Sequence, residues 1–240
     1  LDGPGGLRRS GADPFALLRR CLGPRLDLPR NWPLGLPFPG GAIGYFGYDL
    51  ARRLERLPGM GLDSGRPDPL GLPELAVGIY DQALVVDHLE GRSWLVGRVG
   101  ADGQARDLLR RLAQGDIPYE PRPFRVAGPL RSNMDAAAYA RHFARIQGWI
   151  QAGDCYQVNL ARRFSVAASG DPWHAYRELR RLSPAPFAAY LNTPGARVLS
   201  SSPERFLRLR GDAVETRPIK GTRPRGRDGH ADRRLAAELA

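Results

Sequence analysis

At 240 residues the chain is long enough to bury a full core and to form one large domain or two smaller ones. It is strongly basic, with 36 Lys and Arg against 25 Asp and Glu for a net charge of +11, which admits nucleic acid, an anionic surface or small acidic substrates as partners. No apolar run approaches the ~20 residues of a membrane helix, the first residues lack a signal-peptide pattern, and Cys21 and Cys155 form no Cys-x-x-Cys, which argues against a zinc site or a disulfide framework and predicts buried thiols in a reducing cytoplasm.

The first 40 residues are rich in proline and glycine around one short helical stretch, Asp13 to Cys21. Gly40 to Asp49 alternates glycines with aromatics, the pattern of a strand whose backbone is closely approached by another element. Prolines mark a loop from Pro58 to Pro73. Leu75 to Asp87 and Ser93 to Val99 carry the valine, isoleucine, tyrosine and tryptophan enrichment of strands and predict a hairpin turning at Glu90-Gly91-Arg92. Ala105 to Gln114 has helical spacing, and Asp116 to Pro129, with prolines 118, 121, 123 and 129, reads as a linker. The expected division is therefore an N-terminal region, 1–125, and a second domain, 130–240.

In the second domain, Tyr139, Phe143, Ile146 and Ile150 share one face of a predicted helix that opens at Ser132-Asn133-Met134-Asp135 and closes at Gly153. A strand over Tyr156 to Val166, a helix over Asp171 to Leu182, and strands near Phe187–Leu191, Arg197–Ser201, Phe206–Arg210 and Ala213–Arg217 follow. The fold class is α+β, with antiparallel-rich sheets flanked by helices. Leu1 in place of methionine and the good helix former Ala231 to Ala240, with no stop signal, predict an internal fragment truncated at both ends. The arginines are scattered along helix faces, as in Leu108 to Leu112 and Leu179 to Leu182, with no nucleic-acid-binding pattern; a basic nucleic-acid module remains the non-enzymatic alternative.

Lys220 is the one lysine in the chain. It sits in Pro218-Ile219-Lys220-Gly221-Thr222, where proline and glycine predict a turn at a strand end. Arginine does not act as an amine nucleophile, whereas a lysine does once its proton is removed. Arg217, Arg223 and Arg225 are expected to supply positive charge that disfavours the ammonium form and holds a substrate carboxylate. Glu204, in Ser201-Ser202-Pro203-Glu204-Arg205-Phe206, lies between two predicted strands; it is either an acid partner for Lys220 or one half of an ordinary ion pair with Arg205 or Arg217.

Gly153-Asp154-Cys155-Tyr156-Gln157-Val158-Asn159-Leu160, Ser202-Pro203-Glu204-Arg205-Phe206 and Pro218-Ile219-Lys220-Gly221-Thr222 resemble, in order and spacing, the motifs of the chorismate-utilising enzymes. Gly44 to Leu50 and Ala76 to Asp81 extend the resemblance over nearly the whole chain. It is strongest to the aminodeoxychorismate branch of folate and para-aminobenzoate synthesis, which carries a lysine where anthranilate synthases typically carry alanine. Gln157 stands where the isochorismate and salicylate branch has a water-activating lysine.

The resemblance implies that Lys220 attacks chorismate covalently with Glu204 as general acid, and that Gly221, Thr222 and Gln157 contact substrate. It further implies ammonia supplied by a glutamine amidotransferase, component II, and a Mg2+ ion whose ligands lie beyond residue 240, so that this segment alone is inactive. Pro186, Phe187 and Ala188 match a segment that in relatives lines an L-tryptophan pocket; a proline-bounded strand start is the alternative. An anthranilate synthase component I-like enzyme is the alternative within the family.

Overall fold

A computed structural model of the chain describes residues 11–24, 32, 36–55, 70–97, 102–115, 119–120, 122–219 and 222–239. Among these, six α-helices and ten strands form an α+β fold whose strands pair in five two-stranded sheets. The chain divides into two compact units, residues 1–119 with 191–198, and residues 120–190 with 199–240.

The first unit opens with helix α1 (Pro14–Leu22), which begins where sequence signals dictate: the Asp13 carboxylate accepts the Ala16 N–H at 2.6 Å and proline occupies the first turn. Its Phe15 ring stacks on Phe46 at the end of strand β1 (Gly41–Phe46), with centroids 5.8 Å apart. β1 is shorter than the glycine-aromatic run, because Tyr48–Leu50 turns into a 3-10 segment leading to helix α2 (Ala51–Leu54). The Leu75–Asp87 stretch is two strands, β2 (Leu75–Tyr80) and β3 (Gln82–Asp87). They part at Asp81 because β2 pairs antiparallel with β1 while β3 pairs with β4 (Arg92–Gly97). The β3–β4 turn is tied by Asp87, whose carboxylate accepts the Leu89 and Glu90 N–H groups at 2.8 and 3.0 Å. Helix α3 (Asp102–Gln114) follows. Of the predicted Pro58–Pro73 loop, residues 58–69 lie outside the described residues.

In the second unit the expected linker contains strand β5 (Arg125–Ser132), paired with β6 (Phe164–Ser169). The boundary between the units, after Tyr119, falls inside the expected linker, but the linker's last residues are strand: Pro129 falls in the register shift between Ala127 and Arg131, where its missing N–H removes no ladder bond. Helix α4 (Ala136–Ala152) is capped by Asp135, which accepts the Ala138 N–H at 2.6 Å, and ends on Gly153 at φ 82. Of its predicted apolar face only Ile146 is buried, with Tyr139 and Phe143 exposed. Residues 156–163, expected to be strand, have no ladder partner, and β6 begins only at Phe164. Helix α5 (Pro172–Leu182) starts on an Asp171 cap and carries Trp173 and Tyr176, which pack with Tyr190 of strand β7 (Ala189–Thr193) at centroid separations of 5.2 to 5.5 Å. β7 forms a hairpin with β8 (Ala196–Ser200). Strands β9 (Arg205–Arg210) and β10 (Ala213–Arg217) form the next hairpin, and helix α6 (Gly229–Ala237) is capped by Asp228.

At Gly44 the backbone of β2 comes so close that a Cβ would overlap the Ala76 carbonyl oxygen. Gly44→Ala should therefore destabilise the β1–β2 ladder by about 1–3 kcal/mol, read as a lowered urea midpoint; an unchanged midpoint would mean that the strands do not approach this closely.

Candidate active site

The β9–β10 hairpin is the best-defined part of the motif region, and a bulge sets its geometry. Glu215 pairs with Arg208 and Arg217 with Arg205, so two residues of β9, Phe206 and Leu207, face Thr216 alone. In a regular strand, residues three apart point to opposite faces. The extra residue restores the phase, and both Arg205 and Arg208 reach Glu215, Arg205 by a hydrogen-bonded ion pair and Arg208 at 3.4 Å. Arg217 completes the cluster at 2.7 Å.

Partial burial raises the Glu215 pKa, but the charges of Arg217, Arg205 and Arg208 and the hydrogen bond from Arg205 outweigh it and hold the carboxyl below the ordinary 4.5. Arg223 pairs with Glu238 at 3.2 Å, and Arg225 makes a two-pronged contact with Asp232 at 2.8 and 2.7 Å. That contact, with the Gly226 N–H, lowers the Asp232 pKa. The three arginines expected to lend charge to Lys220 are thus all committed to carboxylates.

Glu204 immediately precedes β9 and Pro218 immediately follows β10, so both lie at the open end of the hairpin, away from the Gly211-Asp212 turn. Glu204 is half-buried at the end of a short tied turn, in which the Ser202 hydroxyl donates to the Glu204 carbonyl at 3.2 Å. Lys220 and Gly221 lie outside the described residues. Thr222 is exposed and its carbonyl accepts from Arg223 at 3.2 Å.

Pro186, Phe187 and Ala188 are brought to the Glu204 turn. The Phe187 N–H donates to the Ser202 carbonyl at 3.1 Å, and the Arg205 guanidinium lies 5.0 Å from the Phe187 ring centre. The Ser201 hydroxyl adds contacts of 3.1 Å to the Ser183 carbonyl and hydroxyl oxygens. Gln157 lines an open cavity of about 710 Å3 with Asp154, Cys155, Tyr156 and Asn159, and of the other site residues that are described, Glu204, Thr222, Pro186, Phe187 and Ala188 do not line it. Among the described residues no group of three or more His, Cys, Asp or Glu side chains could hold a metal ion, so they do not fit Mg2+. The sequence reading missed the role of Glu215, and the Arg205 to Glu215 pairing was hidden by the bulge, which breaks the alternation on which strand faces are read.

The profile of the chorismate binding enzyme family matches residues 16–240. The chain is 44% identical over 228 residues to aminodeoxychorismate synthase component 1 of Salmonella typhimurium, covering 95% of this chain and 48% of that protein. It is 40% identical over 243 residues to anthranilate synthase component 1 of Thermus thermophilus, covering 98% and 50% respectively. The chain therefore spans about half the length of these relatives. In fold it is similar to anthranilate synthase component I from Streptococcus pneumoniae, with a TM-score of 0.64 at 22% identity over 85% of this chain and 47% of that one.

Because the Glu215 pKa is lowered on folding, its stabilising contribution is complete above the ordinary carboxylate value and disappears as pH falls through the lowered one. Glu215→Gln should flatten the acid side of the stability curve. The loss of melting temperature from about pH 6 to about pH 3 should be smaller than in the parent, and an equal loss in both would remove Glu215 as an acid-sensitive contact.

Proposed function

This chain belongs to the chorismate binding enzymes, and on that premise we propose that it is part of an aminodeoxychorismate synthase component 1, making 4-amino-4-deoxychorismate for para-aminobenzoate and folate synthesis. The observation that supports the reading is the β9–β10 register: pairing Arg205 with Arg217 sets Glu204 and Pro218 at one end of one hairpin, and Pro218 is the first residue of the Pro218-Ile219-Lys220-Gly221-Thr222 motif in the sequence.

In this mechanism the neutral ε-amine of Lys220 forms a bond to C2 of chorismate, the two conjugated ring double bonds each shift by one position toward C4, and the C4–O bond breaks. Glu204 gives its proton to the departing hydroxyl, which leaves as water. Ammonia then bonds to C4, the two double bonds shift back, the C2–N bond to Lys220 breaks to return the neutral lysine, and the proton lost by the new C4 ammonium restores the acid form of Glu204. Two displacements with good local geometry replace one that is difficult, which is the ordinary gain of a covalent intermediate. At an unperturbed pKa of about 10.4 only about one lysine in a few thousand is neutral at pH 7, so the site must lower that value.

Thr222 and Gly221 serve as chorismate contacts, and Gln157, an amide with no general-base capacity, leaves ammonia rather than water as the final nucleophile. Ammonia comes from a glutamine amidotransferase component II; a Mg2+ ion, which the described residues do not hold, would supply charge screening of a substrate carboxylate. Pro186, Phe187 and Ala188 line a site for L-tryptophan. The working compartment is the cytoplasm; among the described residues no helix is long and apolar enough to cross a membrane.

An anthranilate synthase-like activity is the second reading, favoured by 40% identity to the Thermus thermophilus relative; Lys220 weighs against it.

In the complete protein, Lys220→Ala should abolish aminodeoxychorismate formation, and Lys220→Arg should not restore it, because a guanidinium keeps the charge but offers no free amine. Mass spectrometry of protein incubated with chorismate and Mg2+ but no ammonia should find the adduct on the peptide containing Lys220. An adduct elsewhere, or parental turnover in Lys220→Arg, would reduce Lys220 to an electrostatic contact.

A further inference from the structure

Arg205 follows Glu204 directly in the chain, yet its side chain is spent on two other partners. It forms the ion pair with Glu215 across the hairpin and covers the Phe187 ring at 5.0 Å, with about a quarter of its side chain exposed. Phe187 is in turn tied to the Glu204 turn by its N–H, which donates to the Ser202 carbonyl at 3.1 Å. These contacts close a ring: Glu204 to Arg205 by the chain, Arg205 to Phe187 by cation and ring face, Phe187 to Ser202 by a backbone hydrogen bond, and Ser202 back to Glu204 by its hydroxyl at 3.2 Å. The bulge makes the ring possible, since without it Arg205 would face away from Glu215.

We infer that Arg205 is the positioning residue for Glu204, fixing the Ser202-Pro203-Glu204 turn by bracing it against both Glu215 and Phe187. The inference rests on the assignment of Glu204 as the acid. A guanidinium suits this role because it is always charged, makes a directed pair with a carboxylate from its edge, and lies flat on an aromatic ring. An acid displaced by an ångström loses most of its effect on a leaving group while substrate affinity is little altered, so the brace should register in kcat rather than KM.

The test is a mutant cycle in the complete protein, with chorismate and saturating ammonium salt. Arg205→Met should lower kcat by roughly 10-fold or more with KM for chorismate within about 3-fold, and Arg205→Lys should recover much of the loss. Phe187→Leu, which keeps an apolar side chain but removes the ring face, should act in the same direction by about 3-fold. Combined with Glu204→Gln, Arg205→Met should add less than about 2-fold to the Glu204→Gln defect, since a brace has nothing left to position. If circular dichroism shows Arg205→Met unfolded, the Phe187→Leu and Glu204→Gln cycle carries the same comparison.

Defects that multiply, or a parental kcat in Arg205→Met, would overturn the positioning role while the Glu204→Gln defect stands. A parental rate in Glu204→Gln alone would instead overturn the acid assignment and the inference with it.

Discussion

The contact between Arg205 and Glu215 across a bulged two-stranded sheet is the constraint on which the rest of the motif region depends. A two-stranded ribbon is marginal by itself, and among the described residues neither strand has a second neighbour to share its ladder. Three arginines converging on one carboxylate make up part of that deficit, with Glu215 half-buried and reached from both strands. Isolated exposed ion pairs are worth about 0–1 kcal/mol, so the network matters less for global stability than for direction: it decides which way Arg205 points. That direction then decides where the Glu204 turn is held.

The same geometry ties two sequence segments that are separate in the chain. Ser183 to Ala188 reaches the Ser201 to Arg205 turn through two serine contacts, one backbone hydrogen bond and the Arg205–Phe187 stack. Anything that seats against Phe187 therefore touches the support of Glu204. For a segment that resembles a tryptophan pocket, this gives a direct physical route between ligand and acid, with no long chain of intervening residues.

What could be read from the sequence was what is determined locally. Asp13, Asp135, Asp171 and Asp228 cap their helices because an aspartate ahead of a helical run accepts N–H groups within three residues, and that information is contained in the run itself. The strand boundaries between Ala196 and Arg217 were legible for a related reason: short apolar runs separated by tight turns at Gly195 and Gly211 leave little freedom. Most of the errors involve distant partners, though the expected burial of Cys21, which is exposed, is a local miss. Leu75–Asp87 looks continuous because nothing local reveals that its halves pair with β1 and β4. Residues 156–163 have strand composition but no ladder, and β5 was concealed by a proline whose cost vanishes in a bulge. The same blindness applies at the site, where strict alternation would send Arg205 and Arg208 to opposite faces and only the bulge brings both to Glu215.

The distribution of charge explains more than its total. A net charge of +11 invites an anionic partner, yet the arginines around the motifs are occupied: Arg205, Arg208 and Arg217 by Glu215, Arg223 by Glu238, Arg225 by Asp232. Arginine suits these fixed contacts because it never loses its proton and its flat fork matches a carboxylate edge. The same permanence disqualifies it from covalent chemistry. In a chain whose other basic side chains are all arginine, the structural duties of positive charge are carried by guanidinium groups. The one amine that can lose its proton stands in the motif leaving β10, beyond a hairpin whose opposite strand begins at the candidate acid. Division of labour between the two basic side chains, rather than the size of the net charge, is what supports the proposal of a lysine-dependent reaction.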